Sequence, residues 1–317
     1  MGYFDSKGAI KMCFQKKRLV SFFIFACVKN HPGMDRILLL YSGGLDSRLV
    51  AKILRERRYP VKAVFFRLPF ASQQPSGLSL LEKEGIPLEI FDCTHGQLLE
   101  DYLKILKEPR FGRGKGYNPC VDCKVFMMEK LGEHAREEQY SAIATGEVPG
   151  QRPMSQTSKK MKVIEQEAPL PLIRPLAELG IQGRTRREQM KLARDYELDY
   201  PGPGGGCLLC EKDLATRFKT LIEQELVTET TLPLVTLGRH YYEAETGTWY
   251  VVGRDKSEND IIETFPQVIS SGKGKPAVYH QSAEEDPKRT EKEAEKLQLA
   301  YRMKDQQAIE YYSQWKI

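Results

Sequence analysis

Long apolar runs are missing from this sequence. The stretch that most resembles one, Leu19 to Val28, is interrupted by Ser21 and spans ten residues, about half of what a bilayer-crossing helix needs. Together with 29% charged residues, this argues against a polytopic membrane protein. A basic KKR at 16–18 precedes the run and imitates a signal peptide, yet no small-x-small cleavage site follows before Met34-Asp35-Arg36 opens the first core strand. Residues 1–33 therefore read as an N-terminal extension, dispensable or artefactual, and the chain as cytoplasmic with no membrane partner. Internal repeats and low-complexity tracts are absent too, so the chain is no solenoid. Neither sign of charge dominates: 48 Lys and Arg against 43 Asp and Glu leave a net +5, a mild excess that suits a polyanion without establishing one. Cysteine is scarce, and its distribution excludes a disulfide scaffold. Of seven cysteines, Cys13, Cys27 and Cys93 stand alone, while Cys120/Cys123 and Cys207/Cys210 form two C-x-x-C pairs. In a long chain rich in Lys, Arg and Glu, grouped thiols point to metal or catalysis.

From Arg36 onward, short apolar runs alternate with helical periodicity. ILLLY (37–41), VKAVFF (61–66), LEIFD (88–92) and SAIAT (141–145) read as strands. Between and after them lie helices from Leu45, over 76–84, 97–107 and 124–139, and a basic helix over 184–196. The expected fold class is α/β, a parallel sheet over residues 34–212. PGPGGG (201–206) cannot be regular structure and reads as a tight loop. Beyond residue 212 the texture changes to a helix (214–225), then a hairpin of HYYEAE and TWYVV joined at Thr246-Gly247. A highly charged stretch, 284–314, carries Ala294, Leu297, Tyr301, Ala308 and Tyr312 along one helical face. Residues 213–317 thus form a second, smaller α+β domain.

Ser42-Gly43-Gly44-Leu45-Asp46-Ser47 stands where the first strand turns into a helix. There, backbone N–H groups and the helix dipole can cradle phosphate. The two glycines admit an anion closely, Ser42 and Ser47 add hydroxyls, and Asp46 can hold Mg2+; no Walker lysine accompanies them. Cys120 and Cys123, in Asn118-Pro119-Cys120-Val121-Asp122-Cys123, sit at a helix start, where the dipole favours thiolate. Cys207 and Cys210 follow the glycine-rich loop. Spacing alone leaves three readings open: an iron–sulfur cluster on three thiolates, a persulfide or disulfide relay between Cys120 and Cys207, and a four-thiolate zinc site over Cys120, Cys123, Cys207 and Cys210. Cys93 reads as buried packing.

SGGLDS resembles the loop of the PP-loop ATPases (adenine nucleotide alpha hydrolase-like), which split ATP between the α and β phosphates and adenylate an oxygen of their substrate. Asn-Pro-Cys-x-x-Cys resembles the tRNA 2-thiouridine synthases. Thr145-Gly146-Glu147 through Ser155-Gln156-Thr157, with Arg174-Pro175-Leu176, resembles the TGE, SQT and RPL signatures of tRNA 4-thiouridine synthetases. The resemblance covers roughly residues 36–210. Neither the THUMP module nor the rhodanese domain of the fuller 4-thiouridine enzymes is evident. The resemblance implies ATP bound by Ser42, Gly43, Gly44, Asp46, Ser47, Thr145 and Gly146, with Mg2+ on Asp46. Catalysis would fall to Asp46, Cys120 and Cys207. Short relatives imply a 4Fe-4S cluster on Cys120, Cys123 and Cys207, Cys210 being a spare ligand or persulfide carrier; zinc remains the alternative.

Arg113 and Lys115 beside the NPC loop, and Arg184 and Arg186 at the head of the basic helix, could track tRNA phosphates. Gly238-Arg239-His240 and Gly253-Arg254 with Glu258-Asn259 resemble the RNA-binding domain of NFACT-type proteins. Arg239, His240 and Arg254 are the implied contacts, with a satisfied structural histidine as the other reading of His240. The sequence thus reads as a tRNA sulfurtransferase: ATP-dependent adenylation of a uridine carbonyl oxygen, then sulfur transfer from a cysteine-held cluster or persulfide. Its partners would be tRNA, a sulfur donor (inorganic sulfide or a cysteine desulfurase) and, in a homodimer, a second copy. The rival readings are a non-thiolating PP-loop adenylating ligase and a zinc-bearing tRNA-binding protein.

Overall fold

The computed structural model describes residues 35–71, 74–151, 154–202, 206–282 and 287–317. The extension over 1–33, with Cys13 and Cys27, and the middle of PGPGGG lie outside the described residues. The chain divides into two compact units. The first runs to Leu208, and the second comprises Leu209–Ile317 together with Lys115–Tyr117.

In the first unit, five parallel strands stand in the order β3-β2-β1-β4-β5. In chain order the elements are β1 (Ile37–Leu40), α1 (Leu45–Glu56), β2 (Val61–Arg67), α2 (Leu78–Lys83), β3 (Leu88–Asp92), α3 (Gly96–Lys107), α4 (Cys120–Glu138), β4 (Ala142–Thr145), α5 (Ser158–Glu167), β5 (Leu172–Ile173), α6 (Pro175–Glu178) and α7 (Arg187–Asp195). The parallel α/β sheet expected from the sequence is present. β1 lies at its centre with Ile37, Leu38 and Leu39 fully buried, which is why an unbroken apolar run rather than an alternating one encodes it. α1 lays Leu45, Leu49, Val50, Ile53 and Leu54 on the sheet, each 0–1% exposed. At about 1.5–3 kcal/mol for each such side chain buried, this face anchors the helix whose first turn carries the glycine-rich loop. The NPC helix differs from the expected 124–139: α4 starts four residues earlier, directly after Pro119. Proline at a helix entrance leaves no orphan N–H of its own, so Cys120 and Cys123 fall in the first turn.

In the second unit, α8 (Ala215–Glu223) precedes β6 (Arg239–Glu243), β7 (Thr248–Val252), α9 (Lys256–Ile262), β8 (Val268–Ile269), β9 (Val278–Gln281), α10 (Pro287–Met303) and α11 (Gln306–Ser313). The four strands are antiparallel in the order β6-β7-β9-β8. The expected hairpin is β6–β7. Ala294, Leu297 and Ala300 of α10 and Tyr312 of α11 pack with Tyr241, Tyr250, Val252 and Val278 of the sheet. The stretch read as one amphipathic helix is two. Lys304 turns to φ +53°, and Asp305 restarts the helix by accepting from the N–H groups of Gln307 and Ala308 at 3.1 Å each.

Candidate active site

β1 has β2 on one side and β4 on the other, so the connections leaving β1 and β4 diverge and open a crevice at their carboxyl ends. SGGLDS follows β1 and Thr145-Gly146-Glu147 follows β4. The two loops touch: a β-carbon built on Gly146 would lie 2.9 Å from the Asp46 carbonyl carbon and 2.9 Å from the Ser47 nitrogen. Only glycine allows that approach.

The phosphate loop is held from behind. Gly43 has φ +73°, and a β-carbon there would lie 2.3 Å from Ser76 Oγ. The buried Arg48 donates from Nε to the Gly43 carbonyl at 2.7 Å and from NH1 to the Asp199 carbonyl at 2.7 Å. Ser76 Oγ donates to the same Gly43 carbonyl at 3.2 Å, and Tyr41 OH donates to the Ser76 carbonyl at 3.0 Å. Within the loop, the Gly44 N–H donates to Ser42 Oγ at 3.4 Å. The Ser47 hydroxyl donates to the Gly44 carbonyl at 3.0 Å, Ser42 remains exposed, and no side chain caps the α1 N-terminus. A helix start left open in this way favours an anion. Arg48, Ser76 and Tyr41 were not singled out from the sequence. Arg48 carried no signal of its own, since α1 also bears Asp46, Lys52, Arg55 and Glu56.

Asp46 Oδ1 is sealed from solvent without a hydrogen-bond partner among the described residues. Burial pushes the carboxyl up to about 6, against the pull of the Arg186 guanidinium. An orphaned carboxylate oxygen beside an open phosphate cradle fits a hard cation such as Mg2+. Arg186, expected on a tRNA face, instead lies within electrostatic reach of Asp46, its Nε sealed and unpartnered. Arg184 is exposed.

Behind β4 the TGE, SQT and RPL residues meet. Thr145, 1% exposed, turns its hydroxyl to Glu147 Oε2 at 3.3 Å. Arg174 donates to Glu147 at 3.3 Å and to Glu165 at 2.9 Å, and the Gln156 side-chain oxygen accepts from the Val148 N–H at 2.8 Å. Lys124, the residue after Cys123, lies 3.9 Å from Glu147 Oε1. These signature residues shape the loop that carries Gly146.

One thiol of the first unit touches a buried hydroxyl, and two more lie within its electrostatic reach. Tyr102 is 1% exposed, and its OH lies 3.9 Å from Cys123 Sγ. The nearby sulfurs of Cys123, Cys207 and Cys93, with burial foremost, drive its phenol well above the ordinary value. Cys207 reaches this place through an antiparallel bridge to Ala71, reinforced by the Leu208 N–H donating to the Phe70 carbonyl at 2.8 Å. Cys120 Sγ accepts from Asn118 Nδ2 at 3.0 Å, giving the Asn of the NPC motif a physical task. The expectation of a dipole-lowered thiol fails at Cys123: burial outweighs Lys124 and the helix start and pushes it up to about 11. Cys93 is fully buried, as expected of packing. A closed zinc site with Zn–S near 2.3 Å needs sulfurs about 3.8 Å apart. Among the described residues, Cys120, Cys123 and Cys207 do not all lie within 4.8 Å of one another, whereas a cluster spreads its thiolates over separate irons. Cys210 is exposed and belongs to the second unit.

Glu89, His134 and Glu138 are the one group of metal-capable side chains gathered that closely among the described residues. Lys62 already pairs with both carboxylates, 2.5 Å from Glu89 and 2.9 Å from Glu138, so they form an ion-pair network.

Residues 33–194 match the family described as thiamine biosynthesis protein (ThiI), 162 of 317 positions. The chain belongs to the ThiI family. Among relatives of this ThiI-family chain, a probable tRNA sulfurtransferase of Methanocaldococcus jannaschii is 27% identical over 170 residues, 51% of this chain and 42% of that one. The tRNA-specific 2-thiouridylase MnmA 1 of Syntrophus aciditrophicus is 31% identical over 125 residues, 35% of this chain and 32% of that one. The chain thus spans about a third to two fifths of the length of these relatives. A solved structure, a predicted subunit of tRNA methyltransferase from Methanocaldococcus jannaschii, aligns with TM-score 0.35 and 16% identity over 50% of this chain and 75% of that one, too distant a likeness to carry weight.

Of the other expected contacts, Arg113 is half-buried and donates to the Lys107 carbonyl at 3.0 Å, while Lys115 is exposed and belongs to the second unit. Arg239 lies over the Tyr301 ring at 5.0 Å, and Arg254 pairs with Glu258. His240 requires correction. It is fully buried, its Nε2–H donates to the Leu237 carbonyl at 2.6 Å, and its Nδ1 accepts from Trp249 Nε1 at 3.1 Å. It is the satisfied structural histidine, with no nitrogen left for RNA. Among the described residues, no helix is long and apolar enough to cross a membrane.

Proposed function

We propose that this ThiI-family chain is an ATP-dependent tRNA uridine thiolase. The observation that carries the reading is the orphaned Asp46 carboxylate at the junction of the SGGLDS and TGE loops, a place suited to a metal–triphosphate. Gly43, Gly44 and the open α1 N-terminus would bind the phosphates, and Ser42 and Ser47 would line them. Mg2+ on Asp46 would neutralise charge on the triphosphate. A uridine carbonyl oxygen, at C2 or C4, attacks the α-phosphorus; the P–O bond to pyrophosphate breaks and an O-adenylated base remains. Sulfur presented at Cys120, Cys123 and Cys207 then attacks the activated carbon, and the C–O bond breaks to release AMP. The proposed donor set, Cys120, Cys123 and Cys207, suits a 4Fe-4S cluster, which when bound would present the donor's sulfide. Tyr102 lies against Cys123, and Asn118 orients Cys120. Arg184 and, on the NFACT-like reading of residues 213–317, Arg239 and Arg254 would hold the tRNA backbone.

The test compares thionucleosides of bulk tRNA, by mass spectrometry, between cells lacking the gene and the same cells given wild type, Asp46→Ala or Cys120→Ala. Loss of one thiouridine restored by wild type alone is the expected result. Restoration by Cys120→Ala would remove the thiols from the mechanism, and unchanged thionucleosides would favour a non-thiolating adenylating reaction.

A further inference from the structure

In the second unit, α10 and α11 meet in a groove that the proposed reaction does not use. Glu293 and Lys296 of α10 and Ala308, Tyr311 and Tyr312 of α11 line it, and its volume is about 390 Å³, within the range of small-ligand sites. On each helix the lining residues stand three or four positions apart and so share one face. Tyr311 is 57% exposed, yet its ring is held. Tyr312 and Trp315 meet it crosswise, at 78° with centroids 5.2 Å apart and at 64° with centroids 5.9 Å apart. Tyr312 is itself buried, and Trp315 stacks on Tyr250 of β7 at 10°. Neither Tyr312 nor Trp315 lies flat on Tyr311, so the core fixes an aromatic ring without covering its face.

The polar wall is equally fixed and only partly spent. Glu293 Oε1 pairs with Lys296 Nζ at 2.5 Å, and Glu293 Oε2 accepts from Tyr312 OH at 3.2 Å. A carboxylate has about four lone-pair sites and an ammonium about three donors, so both oxygens and the ammonium keep capacity for a ligand. A flat ring beside a carboxylate and an ammonium matches a nucleobase. Any base stacks on an aromatic face, and its polar edge then decides identity. Guanine sets two donors, N1–H and N2–H, side by side next to the acceptor O6. The carboxylate can take both donors while the ammonium donates to O6. A partner helix would instead need an apolar wall, and charged side chains form the α10 side of this groove.

We propose that the groove binds an unpaired guanine of RNA, stacked on Tyr311 and read by Glu293 and Lys296. The choice of RNA rests on the tRNA substrate of the proposed function. The test titrates the full chain with fluorescein-labelled RNA hexanucleotides, cytidine throughout except for one central guanine, adenine or hypoxanthine, and follows anisotropy. Guanine should bind about tenfold more tightly than adenine, with hypoxanthine, which lacks the N2 amine, between them. Tyr311→Leu should weaken all three about tenfold, whereas Tyr311→Phe should bind as wild type does. Glu293→Gln should leave adenine affinity unchanged and erase the preference for guanine, a readout that a merely structural role would not move. Equal binding of guanine and adenine by wild type, wild-type affinity in Tyr311→Leu, or a retained preference in Glu293→Gln would overturn the proposal. If Tyr311→Leu does not fold, the base series and Glu293→Gln decide. Two further outcomes also overturn it. GMP displacing the guanine hexanucleotide at equal concentration would make the ligand a free nucleotide, and a dimer split by Tyr311→Leu without change in hexanucleotide affinity would make the groove an interface between copies. The titration contains neither ATP nor a sulfur donor, and Asp46→Ala and Cys120→Ala should keep the preference for guanine, so failure of thiolation and failure of this groove are read separately.

Discussion

Gly146 rests against the backbone of Asp46, with room for no atom beyond hydrogen on its α-carbon. The neighbouring atoms are main chain and cannot rotate aside. Gly146→Ala should therefore part the two loops, since a misplacement of about 1 Å at a reacting group costs on the order of 100-fold in rate. Pyrophosphate release from ATP in the presence of tRNA measures it, and the stability loss should stay within about 1–3 kcal/mol.

Asp46 titrates near 6 because burial disfavours its charge. A carboxyl raised above its unfolded value makes the fold less stable as pH rises from about 4 to 6, a loss complete above 6. Asp46→Asn should be more stable than wild type at pH 8, by about 1–3 kcal/mol, and indistinguishable below pH 4, while its Mg2+-dependent ATP turnover is lost. In wild type, Mg2+-dependent ATP binding should weaken as pH falls below 6, because the metal requires the carboxylate. Chemical denaturation and isothermal titration at several pH values check both.

Arg48 grips the Gly43 and Asp199 carbonyls at once. Arg48→Met strands both and should cost about 3 kcal/mol while raising the KM for ATP. Arg48→Lys should not rescue it, since one ammonium cannot reproduce the fork. A normal KM in either variant would detach Arg48 from the loop.

In the second unit, burial holds His240 neutral down to about 3. A base that the fold keeps unprotonated takes up protons first in the unfolded chain. Stability should thus fall as pH drops from about 6.5 toward 3, followed by tryptophan emission. His240→Ala leaves the Trp249 N–H and the Leu237 carbonyl unpaired, at a cost of about 3 kcal/mol, and should leave the salt slope of tRNA binding unchanged, unlike Arg254→Ala.

Thiol alkylation at pH 8 should separate the cysteines. Cys93 and Cys123 are pushed up to about 12 and 11 by burial, so both stay protonated and slow to react. Among the described cysteines, exposed Cys210 should label first. Rapid labelling of Cys123 in folded protein, read by peptide mass spectrometry, would contradict the geometry.

Four strands of the parallel sheet were legible because each is an apolar run set between turn residues, whereas β5, two residues long, went unread; the phosphate loop was legible because Gly43-Gly44 stands where strand periodicity gives way to period 3.6. Less legible was the support behind it. Arg48 clamps Asp199, 151 residues away, and no local pattern records such a partner. Tyr102 escaped notice for the same reason, reading as one more apolar position of α3 while its hydroxyl meets thiols from α4 and from residue 207. His240 misled in the other direction: a histidine beside Arg239 reads as an RNA contact, and only the positions of Leu237 and Trp249 reveal that both ring nitrogens are spent. The helix break at Asp305 was available as a capping residue, but the continuous apolar face from Ala294 to Tyr312 masked it.

The bridge between Ala71 and Cys207 also orders events in time. On the ribosome, every residue of the nucleotide crevice through Glu147 is made sixty residues before the third thiol. At about 5–20 residues per second this is a delay of about 3–12 s. The nascent chain therefore carries the phosphate loop before it can close the sulfur pocket, and the incomplete pair Cys120 and Cys123 waits without its third partner. In the proposed mechanism the sulfur centre is therefore the last part to be synthesised, and the order of the chain itself sets that delay.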